Sequence, residues 1–210
     1  MMVNNCVCIR YGDTVLPESW IFAGGEKEKS VPIIFAFYLL ETDEGKILVD
    51  AGCDTVSDFF PMENFLGPVA ALKEQGTQPE EITDIILTHN HHDHAHGICH
   101  FPGAVVHVQK EEYEKAKKYF SEHTKVHIFE DLCKIGCLTA VKVGGHSVGS
   151  CVVEFAMNGQ RHVICGDECY TKYNLENKVP TAKSFCKEAS QTFIEKYANG
   201  DYICHLCHDM

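Results

Sequence analysis

The residues most able to do chemistry form one short run, Thr88-His89-Asn90-His91-His92-Asp93-His94-Ala95-His96-Gly97. Histidines at i and i+2, followed by Asp-His at i+4 and i+5, put four donors into six residues. Imidazole nitrogen and carboxylate oxygen are ligands for zinc and its neighbours. A loop after a strand can turn two of these side chains to one cation and two to another. A histidine-rich tract that binds metal adventitiously is the plainer alternative, but such tracts are not embedded between core strands and followed by glycine.

Two cations need further ligands, and three residues at strand ends are candidates. His146 closes a strand in Gly144-Gly-His-Ser-Val-Gly149. Asp167 follows the apolar strand Val163-Ile-Cys165 through Gly166. His208 lies in Cys204-His-Leu-Cys-His-Asp209 after the last strand. That string is also Cys-x-x-Cys-His, the attachment pattern of c-type haem. Cys204 and Cys207 would alternatively form a redox pair, or a structural zinc site with Cys165 and Cys169, if they are not simply small buried hydrophobes.

Elements must hold these residues. The 210 residues show no repeat and no Pro/Gly/Ser linker, so one domain, 1–210, is expected. Phe35–Leu40 and Lys46–Asp50 read as strands joined by a tight turn. Val69–Gln75 reads as a helix, Asp84–Leu87 as a buried strand, Ala104–Val108 as a strand and Gln109–Phe120 as a charged surface helix. In the second half, Leu138–Val143, Cys151–Met157 and Arg161–Cys165 read as strands, with Asn158-Gly159 as the hairpin turn. Ala182–Tyr197 is predicted as an amphipathic helix burying Phe185, Ala189, Phe193 and Tyr197, and Asp201–Cys204 as a final strand. Strands grouped in hairpins and then helices, in two successive halves, predict an α/β (α+β) fold of two sheets face to face with helices outside.

Composition bounds the partners. Eighteen basic and 30 acidic side chains give a net charge of −12, which disfavours nucleic acid and anionic membranes, both of which demand basic surfaces. The longest nearly apolar run, Val31–Leu40, is half of the roughly 20 residues a membrane helix needs. No secretory signal is visible, so a cytoplasmic location is expected and the 12 cysteines are expected to be free thiols.

The run His-x-His-x-Asp-His, then Gly-His, Gly-Asp and Cys-His-Asp, resembles the metallo-β-lactamase fold superfamily, as does Val49-Asp50-Ala51-Gly52. Within it, Tyr38–Gly52 and Asp167–Pro180 are most similar to N-acyl homoserine lactonases, and the resemblance runs from about Val31 onward. It implies a four-layer αββα sandwich in which His89, His91 and His146 bind one metal. Asp93, His94 and His208 would bind a second, and Asp167 would bridge both. Zinc is the implied metal, with iron, cobalt or manganese compatible with the same ligands. Asp50 would orient the loop from behind, and Tyr170 would face the substrate carbonyl. The implied reaction is opening of a lactone, most closely an N-acyl homoserine lactone, by a metal-bridging hydroxide, with Asp93 passing a proton to the leaving oxygen. The expected partner is a small lactone, and the expected state a monomer or homodimer.

Thioester hydrolases of the glyoxalase II type share the ligand set and are the nearest rival. A catalytically silent binding protein on this fold would be expected to have lost some of the seven ligand positions. Three positions depart from the lactonase pattern and are expected to alter the pocket wall: His92, His96 in place of a glycine, and Gly145 in place of a proline.

Overall fold

The computed structural model describes residues 2–56 and 61–209. The first half opens with two long strands, β1 (Val3–Pro17) and β2 (Ser30–Thr42), with the short helix α1 (Glu18–Ile21) between them. β3 (Lys46–Val49), α2 (Pro68–Glu74), β4 (Ile82–Leu87), α3 (His92–Ala95), β5 (Val105–Gln109), α4 (Lys110–Ala116) and β6 (Lys125–Phe129) complete it. The first sheet runs β1-β2-β3-β4-β5-β6; β1 to β3 are antiparallel, and β3 to β6 are parallel neighbours. The parallel strands all release their C-terminal ends on one side, where the histidine run begins.

The second half supplies β7 (Leu132–Ile135), β8 (Leu138–Lys142), β9 (Cys151–Met157), β10 (Gln160–Ile164), α5 (Lys172–Glu176), α6 (Lys187–Tyr197) and β11 (Ile203–His205). Its sheet is ordered β11-β10-β9-β8-β7, with β11 parallel to β10. Asn158 and Gly159 both take positive φ, 52° and 76°, the geometry a two-residue hairpin turn needs.

Alternation along the strands produces the layers. On β2, Phe35, Phe37 and Leu39 pack with Leu72, Ala95 and Ala116 of the helices. Tyr38 and Leu40 point the other way, into a core shared with Leu138, Val153 and Ile164 of the second sheet. On that sheet's outer face Val152 and Val163 pack against Phe193, Ile194 and Tyr197 of α6. Side chains of period two on each strand therefore fill three cores between four layers, the expected αββα sandwich.

Two expectations need correction. The last helix begins at Lys187 rather than Ala182, and Phe185 is 67% exposed instead of joining the helix's buried face. Backbone N–H of Cys186 is taken by Gly145 O, at 3.0 Å, so the segment before the helix is tied across to the ligand loop. The charged helix after β5 also ends early, at Ala116, with a single 3-10 turn (Lys117–Tyr119) beyond it.

Candidate metal centre

The histidine run leaves β4 and turns at once, and Asp50 fixes that turn. Asp50 takes a left-handed φ of 65°, which non-glycine residues adopt only when surrounding contacts hold them there. Its Oδ1 accepts from Thr88 N and its Oδ2 from Thr88 Oγ1, both at 2.8 Å, and Oδ2 also lies 2.7 Å from His94 Nδ1. Thr88 Oγ1 in turn faces His89 Nδ1 at 3.0 Å. One carboxylate thus fixes the outward nitrogens of two histidines and leaves both Nε2 atoms aimed inward. Gly97 permits the close return of the chain, since a Cβ there would strike Ala51 O.

Four donors form a first group. His89 Nε2 and His146 Nε2 lie 2.9 and 3.0 Å from His91 Nδ1, and 3.5 and 3.3 Å from Asp167 Oδ2. A second group forms around the other oxygen. Asp167 Oδ1 is 3.0 Å from both His94 Nε2 and His208 Nε2, and Asp93 Oδ2 is 3.5 Å from His94 Nε2 and 3.9 Å from His208 Nε2. His208 Nδ1 is anchored on Ile34 O at 2.9 Å. Donors around a tetrahedral cation with bonds of about 2.05 Å stand about 3.3 Å apart, so both groups have the spacing of a coordination shell. The seven residues expected as ligands therefore converge, and the donor set fits two divalent cations sharing Asp167.

The electrostatics divide the two groups. Against the pull of burial, Asp167 and Asp93 hold His94 well above the usual histidine range and His208 above it, whereas His89 and His146 of the first group are pushed the other way. Burial, reinforced by the neighbouring His94, drives His89 well below the usual histidine range, and burial holds His146 at about 4. Neutral imidazoles are the ligating form. Burial alone would raise Asp167, but the histidines around it, His94 foremost, hold it well below the usual carboxylate range. Burial also opposes ionisation of Asp93, yet His94 beside it brings the carboxyl down to about 2.

Three buried groups that shape the centre were missed in the sequence. Glu112, on α4, accepts from Asn90 N (2.9 Å), Ser147 Oγ (2.7 Å), Gly149 N (2.8 Å) and the Asn90 amide, so it clamps the loops carrying His91 and His146 together. Glu168 accepts from Gly145 N at 3.0 Å, His146 N at 3.1 Å and Ser150 Oγ. Burial pushes its carboxyl up to about 7. Tyr11, reaching from β1, donates to Asp93 O at 2.7 Å.

Above the donors opens a cavity of about 650 Å³. Its floor is polar, with His91, Asp93, His146, Asp167 and His208, while Leu16, Trp20, Ile33, Phe35, Met62 and Phe185 form largely apolar walls. Tyr170 stands between the two, its ring centroid 5.2 Å from that of His208 and 6.0 Å from that of His146. Burial, with Asp167 and Asp93 nearby, pushes its phenol well above the usual tyrosine range, so the hydroxyl keeps its proton.

Of the three departures from the lactonase pattern, only His92 lines this cavity. His96 packs on His92 and Tyr119 and pairs with Asp54. At Gly145 a Cβ would collide with Glu168 Oε2 and Ser190 Oγ, and a proline would also remove the N–H that Glu168 accepts.

A family model of the metallo-beta-lactamase superfamily matches residues 36–185. The chain belongs to that superfamily. It is 33% identical over 207 residues to the N-acyl homoserine lactonase AiiA of Bacillus thuringiensis subsp. kurstaki, covering 87% of this chain and 82% of the relative. The lactonase AiiB of Agrobacterium fabrum is more distant, at 21% over 156 residues, with 62% of this chain and 56% of AiiB covered. Among solved structures, a quorum-quenching N-acyl homoserine lactone lactonase superposes with a TM-score of 0.85 at 28% identity, covering all of this chain and 94% of the other. An N-acyl homoserine lactone hydrolase with the product N-hexanoyl-L-homoserine at its catalytic metal centre gives 0.83 at 26% identity, covering 100% and 95%.

The cysteines take no part in either donor group. Cys165, Cys169 and Cys204 pack beside α6 on one face of the second sheet, with Cys165 and Cys204 in contact, whereas Cys207 packs between the sheets, so the four thiols do not surround one cation. His208 of the Cys-x-x-Cys-His string has both nitrogens engaged, on Ile34 and Asp167. Among the described residues no helix is long and apolar enough to cross a membrane.

Proposed function

We propose that this chain is a dinuclear metal-dependent hydrolase that opens the ring of N-acyl homoserine lactones. The observation that carries the reading is the sharing of Asp167 between two ligand groups at the floor of an apolar-walled cavity. His89, His91 and His146 hold one cation, Asp93, His94 and His208 the other, with zinc the metal preferred by this mixture of imidazole and carboxylate. When bound, such a pair lowers the pKa of water and polarises a carbonyl oxygen.

The protein's own groups do the rest. The apolar walls accept the acyl chain and bring the lactone carbonyl down onto the polar floor. Tyr170, protonated at neutral pH, donates to the carbonyl oxygen as negative charge develops there, and a donor of this kind is worth about 2.7–4 kcal/mol. Asp93 is ionised and half-buried. It takes a proton from the attacking water and returns it to the ring oxygen as the carbonyl carbon–oxygen bond breaks, giving the open hydroxy acid.

The whole chain, 1–210, acts as one domain in this reading, as a cytoplasmic monomer or homodimer. A panel of lactones, esters and thioesters, assayed on protein of known metal content, tests it. Turnover of acyl homoserine lactones supports the reading; turnover of thioesters alone replaces it with a glyoxalase II type of activity.

A further inference from the structure

Away from the dinuclear centre, metal-binding side chains meet again where the two sheets approach at their β6 and β7 edges. His107 on β5 and His127 on β6 are register partners, with their Nδ1 atoms 3.1 Å apart. Cys133, on β7 of the other sheet, brings its Sγ to 3.5 Å from His127 Nδ1. All three donor atoms lie within 4.8 Å of one another. For a tetrahedral cation with metal–nitrogen bonds of about 2.05 Å and a metal–sulfur bond of about 2.3 Å, nitrogen donors stand about 3.3 Å apart and nitrogen and sulfur about 3.6 Å apart. The observed spacings fall close to both.

The surroundings are those of a ligand set. His107 Nε2 lies 2.7 Å from Asp84 Oδ1, on the adjacent strand β4. A carboxylate accepts there, so Nε2 carries the proton and the Nδ1 lone pair faces His127 and Cys133. A carboxylate behind an imidazole in this way both orients it and raises its basicity as a ligand. One proton on His127 Nδ1 serves only one of its two neighbours, and the Cys133 thiol has otherwise only a long contact to Lys134 O, at 4.0 Å, whereas a cation serves all three. His107 and Cys133 are buried and His127 is exposed, so the cluster opens to solvent and leaves room for water as a fourth ligand.

We propose that His107, His127 and Cys133 bind a third cation per chain, a thiophilic ion of the zinc type, with Asp84 as the residue that positions His107. A d10 ion accepts this tetrahedral mixture of thiolate and imidazole without a geometric penalty of its own. The site shares no residue with the dinuclear centre. Among the described residues, β6 pairs only with β5, and β7 only with β8. The cation therefore joins the edge strands of the two sheets, and its role is to staple the sandwich rather than to act on substrate.

Co²⁺ titrated into the metal-free full chain tests the assignment. The dinuclear donors are nitrogen and oxygen only, so thiolate-to-cobalt charge-transfer absorption cannot come from them, and its loss on substitution separates this site from the other thiol-bearing group, Asp54, Cys99 and His100. The expected result is a third equivalent of Co²⁺ carrying that absorption, displaced by Zn²⁺ and lost in Cys133→Ser. His127→Ala, at an exposed position, must remove the same equivalent, which covers the case in which the buried substitution fails to fold. Lactone hydrolysis is expected to be unchanged in His127→Ala. A wild-type chain that stops at two equivalents with no charge-transfer band overturns the site, and so does a band that survives both substitutions.

Discussion

Asp167 meets His94 through Oδ1, at 3.0 Å, while its other oxygen is turned to His89 and His146. A carboxylate used in this way couples two sites, because neither can lose it alone. Asp167→Ala is expected to lower metal content from about two equivalents to well under one, not to one. Elemental analysis of the purified variant checks this, and retention of a full single equivalent would show that the two groups bind independently.

Tyr170 lies over the expected ligands, its hydroxyl bonded to Asp167 and its ring against His146 and His208. Tyr170→Phe removes only the hydroxyl and is expected to lower kcat by about 10²–10³-fold, as for loss of one oxyanion donor, with metal content unchanged. Steady-state kinetics beside elemental analysis separates the two effects; an unaltered kcat would take Tyr170 out of the reaction.

Glu112 holds two ligand loops that are distant in sequence. Glu112→Ala leaves Asn90 N–H, Ser147 Oγ–H and Gly149 N–H without their acceptor, each an unmet buried group costing about 1–3 kcal/mol. Melting temperature is expected to fall. Metal affinity is expected to drop about 10–100-fold, as for loss of a group that orients ligands. A metal-competition titration with a chromophoric chelator reads the second effect on whatever fraction remains folded.

Glu168 gives the apoprotein a pH dependence with a definite sign. Its carboxyl is raised by burial to about 7 from an ordinary value of 4.5. The folded state therefore holds this proton more tightly than the unfolded chain does. The stabilisation is complete below about 4.5 and is lost as pH rises through about 7. Glu168→Gln, which cannot ionise, is expected to gain stability relative to wild type between about pH 5 and about pH 8. Thermal melts of both metal-free proteins at the two pH values check the crossing.

What could be read directly from the sequence was what short spacing decides. His89, His91, Asp93 and His94 declare themselves because ligation needs several donors within one turn of chain, and His146, Asp167 and His208 because each follows an apolar strand. The groups that aim them were hidden. Glu112 lies in Lys110-Glu111-Glu112, which reads as a solvated helix face, and it is buried only because loops from 90 and 147–149 fold over it. One signal was available: Ala116, four residues on, marks the same face as buried. Phe185 was misread for the converse reason. Its four-residue spacing to Ala189 suited a helix, but the backbone of Cys186 is spent on Gly145, and the ring is left at the cavity mouth. The long β1 was also missed, since its burial follows no steady alternation and its register with β2 slips between Arg10 and Gly12.

The placement of the donors along the chain orders their arrival during synthesis. His89, His91, His146 and Asp167 have all been made while His208, 41 residues past Asp167, is still to come. His208 must then dock beside β2, whose Ile34 carbonyl holds its outer nitrogen. One donor group is thus complete in the growing chain while the other still waits for His208, so metal supplied early would meet the two groups in sequence.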